Sequence, residues 1–255
     1  WRSENSRSDA PSYIGRLSSI IQSESPSVVL SHFSNRLVLL VTGLMSETKE
    51  DFRGRPIRHS VVWECGNTCV DEENIRAIAA WALNGHIGQA VDKYIKFDKN
   101  NGFEVEFNEI KHITNGKNLK SEELTDAERV PKIGKNSAAL RNDIARTIQK
   151  YKLPDQYEYL IVVTGIKAES ALEDLGTWRS LSNLVKSEDW RRITKTNDVG
   201  QESSFGKAAI LIVAIVIVTA LIIILILLHP SSKKEDSLQP EIPQSNLEAV
   251  EKPLN

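Results

Sequence analysis

"SVVLSHFSNRLVLLVTG", Ser27 to Gly43, is the stretch on which the fold turns. Its two halves are apolar runs of strand length, joined by the Ser34-Asn35 turn signal. The second half is continuous in Leu and Val, as in a strand covered on both faces. It ends in Thr42-Gly43, and a run far downstream, "YLIVVTGIKAE" from Tyr159 to Glu169, ends in the same way at Thr164-Gly165. The elements between the two runs do not repeat, which argues against an internal duplication.

The remaining elements follow outward from this pair. "HSVVWEC", His59 to Cys65, reads as a third short strand. Asp71 offers an N-cap with Glu72 and Glu73 behind it, and the helix "NIRAIAAWALNG" stops at Gly85. Alternation at Ile95, Phe97, Phe103, Val105 and Phe107 around Asn100-Asn101-Gly102 predicts a β-hairpin. Residues from Thr114 to Lys135 are polar and broken by Gly and Pro, so they read as a long loop with one helical turn. Asn136 caps a helix whose Leu140, Ile144, Ile148 and Tyr151 share a face, and Pro154 ends it. "AESALEDLG" and "WRSLSNLVKSEDW" read as short helices after the strand at Tyr159. Strands interleaved with helices predict an α/β fold: a mostly parallel central sheet flanked by helices, with an antiparallel hairpin added.

"AAILIVAIVIVTALIIILILL", Ala208 to Leu228, carries no charged residue. At helical rise it covers ~31 Å, the thickness of a bilayer's hydrocarbon core. One C-terminal transmembrane helix is therefore expected, with residues 207–229 as the span and its flanks. Arg191, Arg192, Lys195 and Lys207 precede it, against Lys233 and Lys234 after it. This bias predicts a single-pass protein with its N-terminal domain in the cytoplasm. The expected organisation is a flexible lead-in over residues 1–25, a cytoplasmic α/β domain over 26–200, the span, and a disordered tail over 230–255 rich in Pro, Ser and Glu. The span holds no Gly-x-x-x-Gly seam and no ionisable residue, so it reads as an anchor, compatible with a homo-oligomer but not specifying one.

A formal net charge of −2 gives no global basic field, which argues against nucleic-acid duplex binding. The only two cysteines, Cys65 and Cys69, are too few for a disulfide scaffold and fit a reducing compartment. Their C-x3-C spacing lacks the ligand set of a zinc site, so neither a metal nor a cofactor is expected. His59 and Cys65 lie ~20 Å apart along an extended strand, too far to form a nucleophile pair.

Two candidate ligand features remain. Open α/β sheets bind ligands outside the carboxyl ends of their parallel strands, where Thr42, Gly43, Thr164 and Gly165 would meet if their strands were parallel and adjacent. Gly also ends strands for purely structural reasons, and that reading stands beside the first. Arg53, Arg55 and Arg58, with His59, fall in a loop shaped by Gly54 and Pro56, and guanidinium forks suit phosphate or carboxylate. The alternative is a solvated loop neutralised by Glu47, Glu50 and Asp51. No Walker A motif and no G-x-G-x-x-G accompanies either feature.

Trp178 reads as core, while Trp190 fits a core or a membrane interface equally. The leading expectation is a membrane-anchored sensor or adaptor domain, with the bilayer as partner through residues 208–228. Its ligand would be an anionic small molecule, a nucleotide among them, or a protein, in a setting such as signalling. An enzyme acting on a nucleotide or phosphoester and a ligand-free membrane scaffold are the alternatives. The first lacks a complete set of acid, base and nucleophile.

Overall fold

A computed structural model describes residues 2–4, 9–22, 24–66, 68–98, 102–114 and 119–193. Its first helix, α1 (Tyr13–Ser18), precedes three strands, β1 (Ser27–Phe33), β2 (Arg36–Glu50) and β3 (Pro56–Gly66). Helices α2 (Cys69–Leu83) and α3 (Ile87–Lys93) follow, then the hairpin β4 (Ile95–Asp98) and β5 (Gly102–Val105). After α4 (Phe107–Lys111) and α5 (Asp126–Arg129) come β6 (Lys132–Lys135), α6 (Ala138–Lys150), β7 (Tyr159–Thr164), α7 (Glu169–Asp174), β8 (Arg179–Ser182) and β9 (Arg191–Arg192).

The architecture is α/β, with one seven-stranded sheet in the order β3-β2-β1-β7-β8-β6-β9 and a separate β4-β5 hairpin sheet. The large sheet is mixed, which corrects the expectation of a mostly parallel one. The β1-β2 and β2-β3 pairs are antiparallel, as are β1-β7 and β6-β9, and only β7-β8 and β8-β6 run parallel. The cause is local: a two-residue turn at Ser34-Asn35, with Ser34 at positive φ, folds β2 back on β1 before any helix intervenes.

Helices cover both faces. Ile75, Ile78, Ala79 and Leu83 of α2 pack with Leu140, Ile144 and Ile148 of α6 against Leu37, Leu39, Val41, Ile161 and Val163. On the opposite face Leu17 and Ile20, in and after α1, pack with Leu172 of α7 against Val29, Val38, Leu40 and Val162. Alternation along β2 therefore feeds two cores, which is why the sequence shows one continuous apolar run. Within the lead-in, α1 docks through Leu17, which is fully buried.

The caps differ from the expected Asp71 and Asn136, by three residues for α2 and by one for α6. Thr68 caps α2 and accepts from the amide of Asp71, and Ser137 caps α6, accepting from the amide of Leu140. The predicted hairpin forms with Phe97 opposite Phe103, but Phe107 begins α4. Three strands, β6, β8 and the two-residue β9, were not expected from the sequence. β6 lies inside the expected long loop, and β8 lies inside the expected helix at Trp178 to Trp190, where it inserts between β7 and β6. The expected membrane span, residues 207–229, lies outside the described residues, as does the tail. Among the described residues no helix is long and apolar enough to cross a membrane.

Candidate functional site

The expected strand end at Thr42-Gly43 is instead the middle of β2, which continues to Glu50 through a register shift between Val41 and Leu44. Thr164 does end β7, and the two Thr-Gly pairs lie level in the sheet but are not neighbours. Both β2 and β7 are antiparallel to β1, so they run parallel to each other with β1 between them, ~10 Å apart. Each hydroxyl is turned to the chain that precedes β1. Thr42 Oγ1 donates to the carbonyls of Gln22 at 3.0 Å and Ser25 at 3.2 Å, and Thr164 Oγ1 donates to Ile20 O at 3.1 Å. Both threonines are buried. The two threonines thus hold the segment after α1 across the sheet.

The glycines differ. Gly43 has φ +67°, and a Cβ there would overlap Ser25 C and Pro26 N, so only glycine lets this backbone approach. Gly165 has no such constraint, its nearest neighbour to a Cβ being Asn183 Nδ2 at 3.4 Å. The carboxyl ends of the parallel strands are closed further along. Ser182 Oγ donates to Lys167 O at 2.6 Å, and the amides of Asn136 and Lys135 donate to Ser182 O and Ser187 O. Where such sheets hold ligands, this chain places its own backbone.

Arg53 and Arg55 sit at the tip of the β2-β3 hairpin, and Arg58 lies on β3 opposite Met45. Asp51 organises the turn: Oδ1 accepts from the amides of Arg53 at 2.8 Å and Arg55 at 3.0 Å, while Oδ2 accepts from Arg55 Nε at 2.8 Å. These donors, the Arg55 amide foremost, hold its carboxyl below the usual range. Arg53 stacks its guanidinium over the Phe52 ring at 5.1 Å. Arg53 and Arg58 are exposed and form no ion pair among the described residues. The tip is a preformed turn whose basic heads point to solvent.

Beside it lies a polar cluster that the sequence reading missed. Between the Met45-Arg58 and Glu50-Pro56 pairs, β2 spends Ser46 to Lys49 against Ile57 alone, and this bulge swings Lys49 toward α3. Ser46 Oγ accepts from the amides of Thr48 and Lys49 and donates to Asp92 Oδ2 at 2.9 Å. Lys49 Nζ donates to Asp92 Oδ1 at 2.7 Å, and His59 Nε2 lies 3.2 Å from the same oxygen. Burial opposes ionisation of Asp92, but the donors Lys49, Ser46 and His59 outweigh it and keep the carboxyl below its ordinary range.

An open groove of about 820 Å³ borders this cluster, lined by Thr48, Lys49, Asp92, Lys93 and Lys96 among others. Ser46 gives its proton to Asp92 and not to His59, so the three do not form a nucleophile, base and orienter in series. No local pattern could have announced the cluster, because its members come from β2, β3 and α3 and meet only through the bulge. Cys65 is no nucleophile either: burial, then the nearby acids Asp71, Glu64 and Glu72, push its thiol up to about 12.

No family model, curated protein or solved structure matches the chain. Its chemistry is therefore read from its own residues. The two tryptophans before the expected span serve the core: Trp178 is buried with its Nε1 donating to Glu128 O at 2.8 Å, and Trp190 Nε1 donates to Asp143 Oδ2 at 2.8 Å.

Proposed function

We propose that the chain is a membrane-anchored adaptor or sensor whose cytoplasmic domain binds an anionic ligand, or an acidic protein partner, through the β2-β3 hairpin. The observation that carries this reading is the exposed pair Arg53 and Arg58 on a turn already fixed by Asp51. A guanidinium with free donors on an ordered turn binds phosphate or carboxylate without first being organised. Thr42 and Thr164 spend their hydroxyls on the segment after α1, so the anion contact falls to the arginines. The apolar run 208–228 supplies the anchor. Phosphorylated metabolites and acidic peptides, screened by thermal shift of the full chain in detergent, test the reading. A true ligand raises apparent stability by ~2.7 kcal/mol at a hundredfold excess over its Kd. Arg53→Ala with Arg58→Ala should abolish that shift, and a shift that survives the double substitution places the site elsewhere.

A further inference from the structure

Phe52 is the most exposed large hydrophobic side chain among the described residues, at 90%. It stands at the outermost turn of the hairpin, between β2 and β3, with Arg53 stacked on its ring. Met45, half exposed, lies opposite Arg58 further down the same hairpin. An exposed aromatic ring with a guanidinium stacked on it has the composition of an element that sits where hydrocarbon meets charged headgroups.

The acids nearby share this surface. Asp51 is enclosed by two amides and the Arg55 fork, and the exposed Glu47 accepts from Gln89 Nε2 at 2.7 Å. Lys49 is turned inward to Asp92. What the hairpin shows to solvent is Phe52, Arg53 and Arg58 with the Arg55-Asp51 pair, set against Glu47 and Glu50, so the basic character is local to the two open guanidinium groups.

We infer that this tip is a lipid-contact element. Phe52 enters the headgroup region of an anionic bilayer, and Arg53 and Arg58, whose forks are open, meet its phosphates. The inference rests on the membrane-anchored reading above and names the bilayer itself as the anionic surface. The sequence makes the meeting local. Only residues 194–207 separate the last described residue from the apolar run, and a chain of that length reaches no further than ~50 Å. A tether so short holds the domain close to the membrane. It leaves from β9, at the edge of the sheet opposite the β2-β3 hairpin, so the contact requires the domain to turn its hairpin edge to the bilayer. An acidic protein would also take up the phenylalanine; what favours the bilayer is that the apolar run 208–228 brings it beside the domain.

The test uses the full chain reconstituted in vesicles of phosphatidylcholine, with or without phosphatidylserine. Phe52→Trp adds an indole at the apex, and lipids brominated near the carbonyl report its contact with the bilayer, over the background of the native tryptophans. Val70→Trp, at another exposed apolar position far from the hairpin in sequence, is the control. The apex indole should be quenched in the phosphatidylserine vesicles and the control should not. Arg53→Glu with Arg58→Glu should lower occupancy of the quenched state by at least roughly tenfold. If the chain resists alkaline extraction but the apex indole stays unquenched in both vesicles, the lipid inference falls and the soluble-partner reading of the hairpin stands. If alkaline extraction releases the chain, the anchor is wrong and the inference falls with it. Equal quenching with and without phosphatidylserine removes the anionic specificity and overturns the roles of the arginines.

Discussion

Two regions of the domain are built around arginine, and they differ in where its donors go. Beside β6, Arg179 is 1% exposed, donates to Val130 O and Glu128 O at 2.8 Å each, and pairs with Glu128 Oε2 at 2.7 Å. Its guanidinium also lies over the rings of Trp178 and Trp190. On the hairpin, Arg53 and Arg58 keep their donors in water, with only the Phe52 ring against Arg53. The first arrangement spends every available direction on holding the chain ends around β8 together. The second holds nothing together, and its geometry is set by Asp51. A fork wholly consumed inside the fold is structural, and a fork left open has donors to offer outside it.

Removing Arg179 is the most severe way to test that distinction. Arg179→Ala removes the donor to Val130 O and one of the donors to Glu128 O and to the Glu128 carboxylate, which keep Trp178 Nε1 and Lys132. It also removes the filling between two tryptophan rings, for a total loss of about 3 kcal/mol. Denaturant unfolding should show a midpoint shift of that order, and a shift near zero would mean that water satisfies those groups. Arg76 of α2 is the same kind of node. It is fully buried and donates to Tyr151 O, Lys120 O and Ser121 Oγ, which ties residues 120–121 to the end of α6.

The Thr-Gly pairs give the next comparison, between their two glycines. Gly43→Ala places a Cβ into the backbone at Ser25 and Pro26 at a positive φ, and should cost about 2–3 kcal/mol. Gly165→Ala meets only Asn183 Nδ2 at ordinary distance and should stay within ~0.5 kcal/mol of the parent. Hydrogen exchange over 13–22 should rise for the first and not for the second. Equal costs would show that Thr42 and not Gly43 sets how residues 20–26 dock.

The same pair shows how much was legible. The Thr-Gly likeness, the buried strands on either side of it, α2, α6 and the β4-β5 hairpin all follow from local pattern, and each is present. The direction of the sheet was not legible, because pairing partners are chosen by turns and crossovers, and the Ser34-Asn35 turn made an antiparallel meander of the first three strands. β6, "KIGK", and β8, "RSLS", escaped because each has a single large apolar residue, Ile133 or Leu181, and so carries no apolar run. Their burial comes from neighbours and from Arg179 finding partners. The arginine turn was visible as charge, while the exposure of its apex phenylalanine and the approach of Asp92 from α3 to the bulge in β2 needed the fold.

Asp92 separates the hairpin's base from its tip by pH. Its carboxyl titrates below the ordinary value in the fold, so the unfolded chain takes up the proton first. The stabilisation is complete above the ordinary aspartate range near ~4 and is lost as pH falls through the lower folded value. Asp92→Asn should therefore cost about 2 kcal/mol at neutral pH, by loss of charged hydrogen bonds, and should cost progressively less in acid. A penalty independent of pH would mean that packing of the side chain, and not its charge, holds the bulge to α3.

The smallest effect expected on stability is at the tip itself, and there the two uses of arginine part most clearly. Arg53 and Arg58 are exposed and outside every ion pair of the described residues, so Arg53→Ala with Arg58→Ala should leave the unfolding midpoint where it was. Binding to an anionic partner should nonetheless fall, because the lost forks are the ones that faced it. Unfolding and binding measured on the same preparation make this a two-sided test. A midpoint that drops would move these arginines into the structural class with Arg179. Binding that survives an unchanged midpoint would leave the open fork without a purpose and turn attention to the groove beside Lys49 and Lys96.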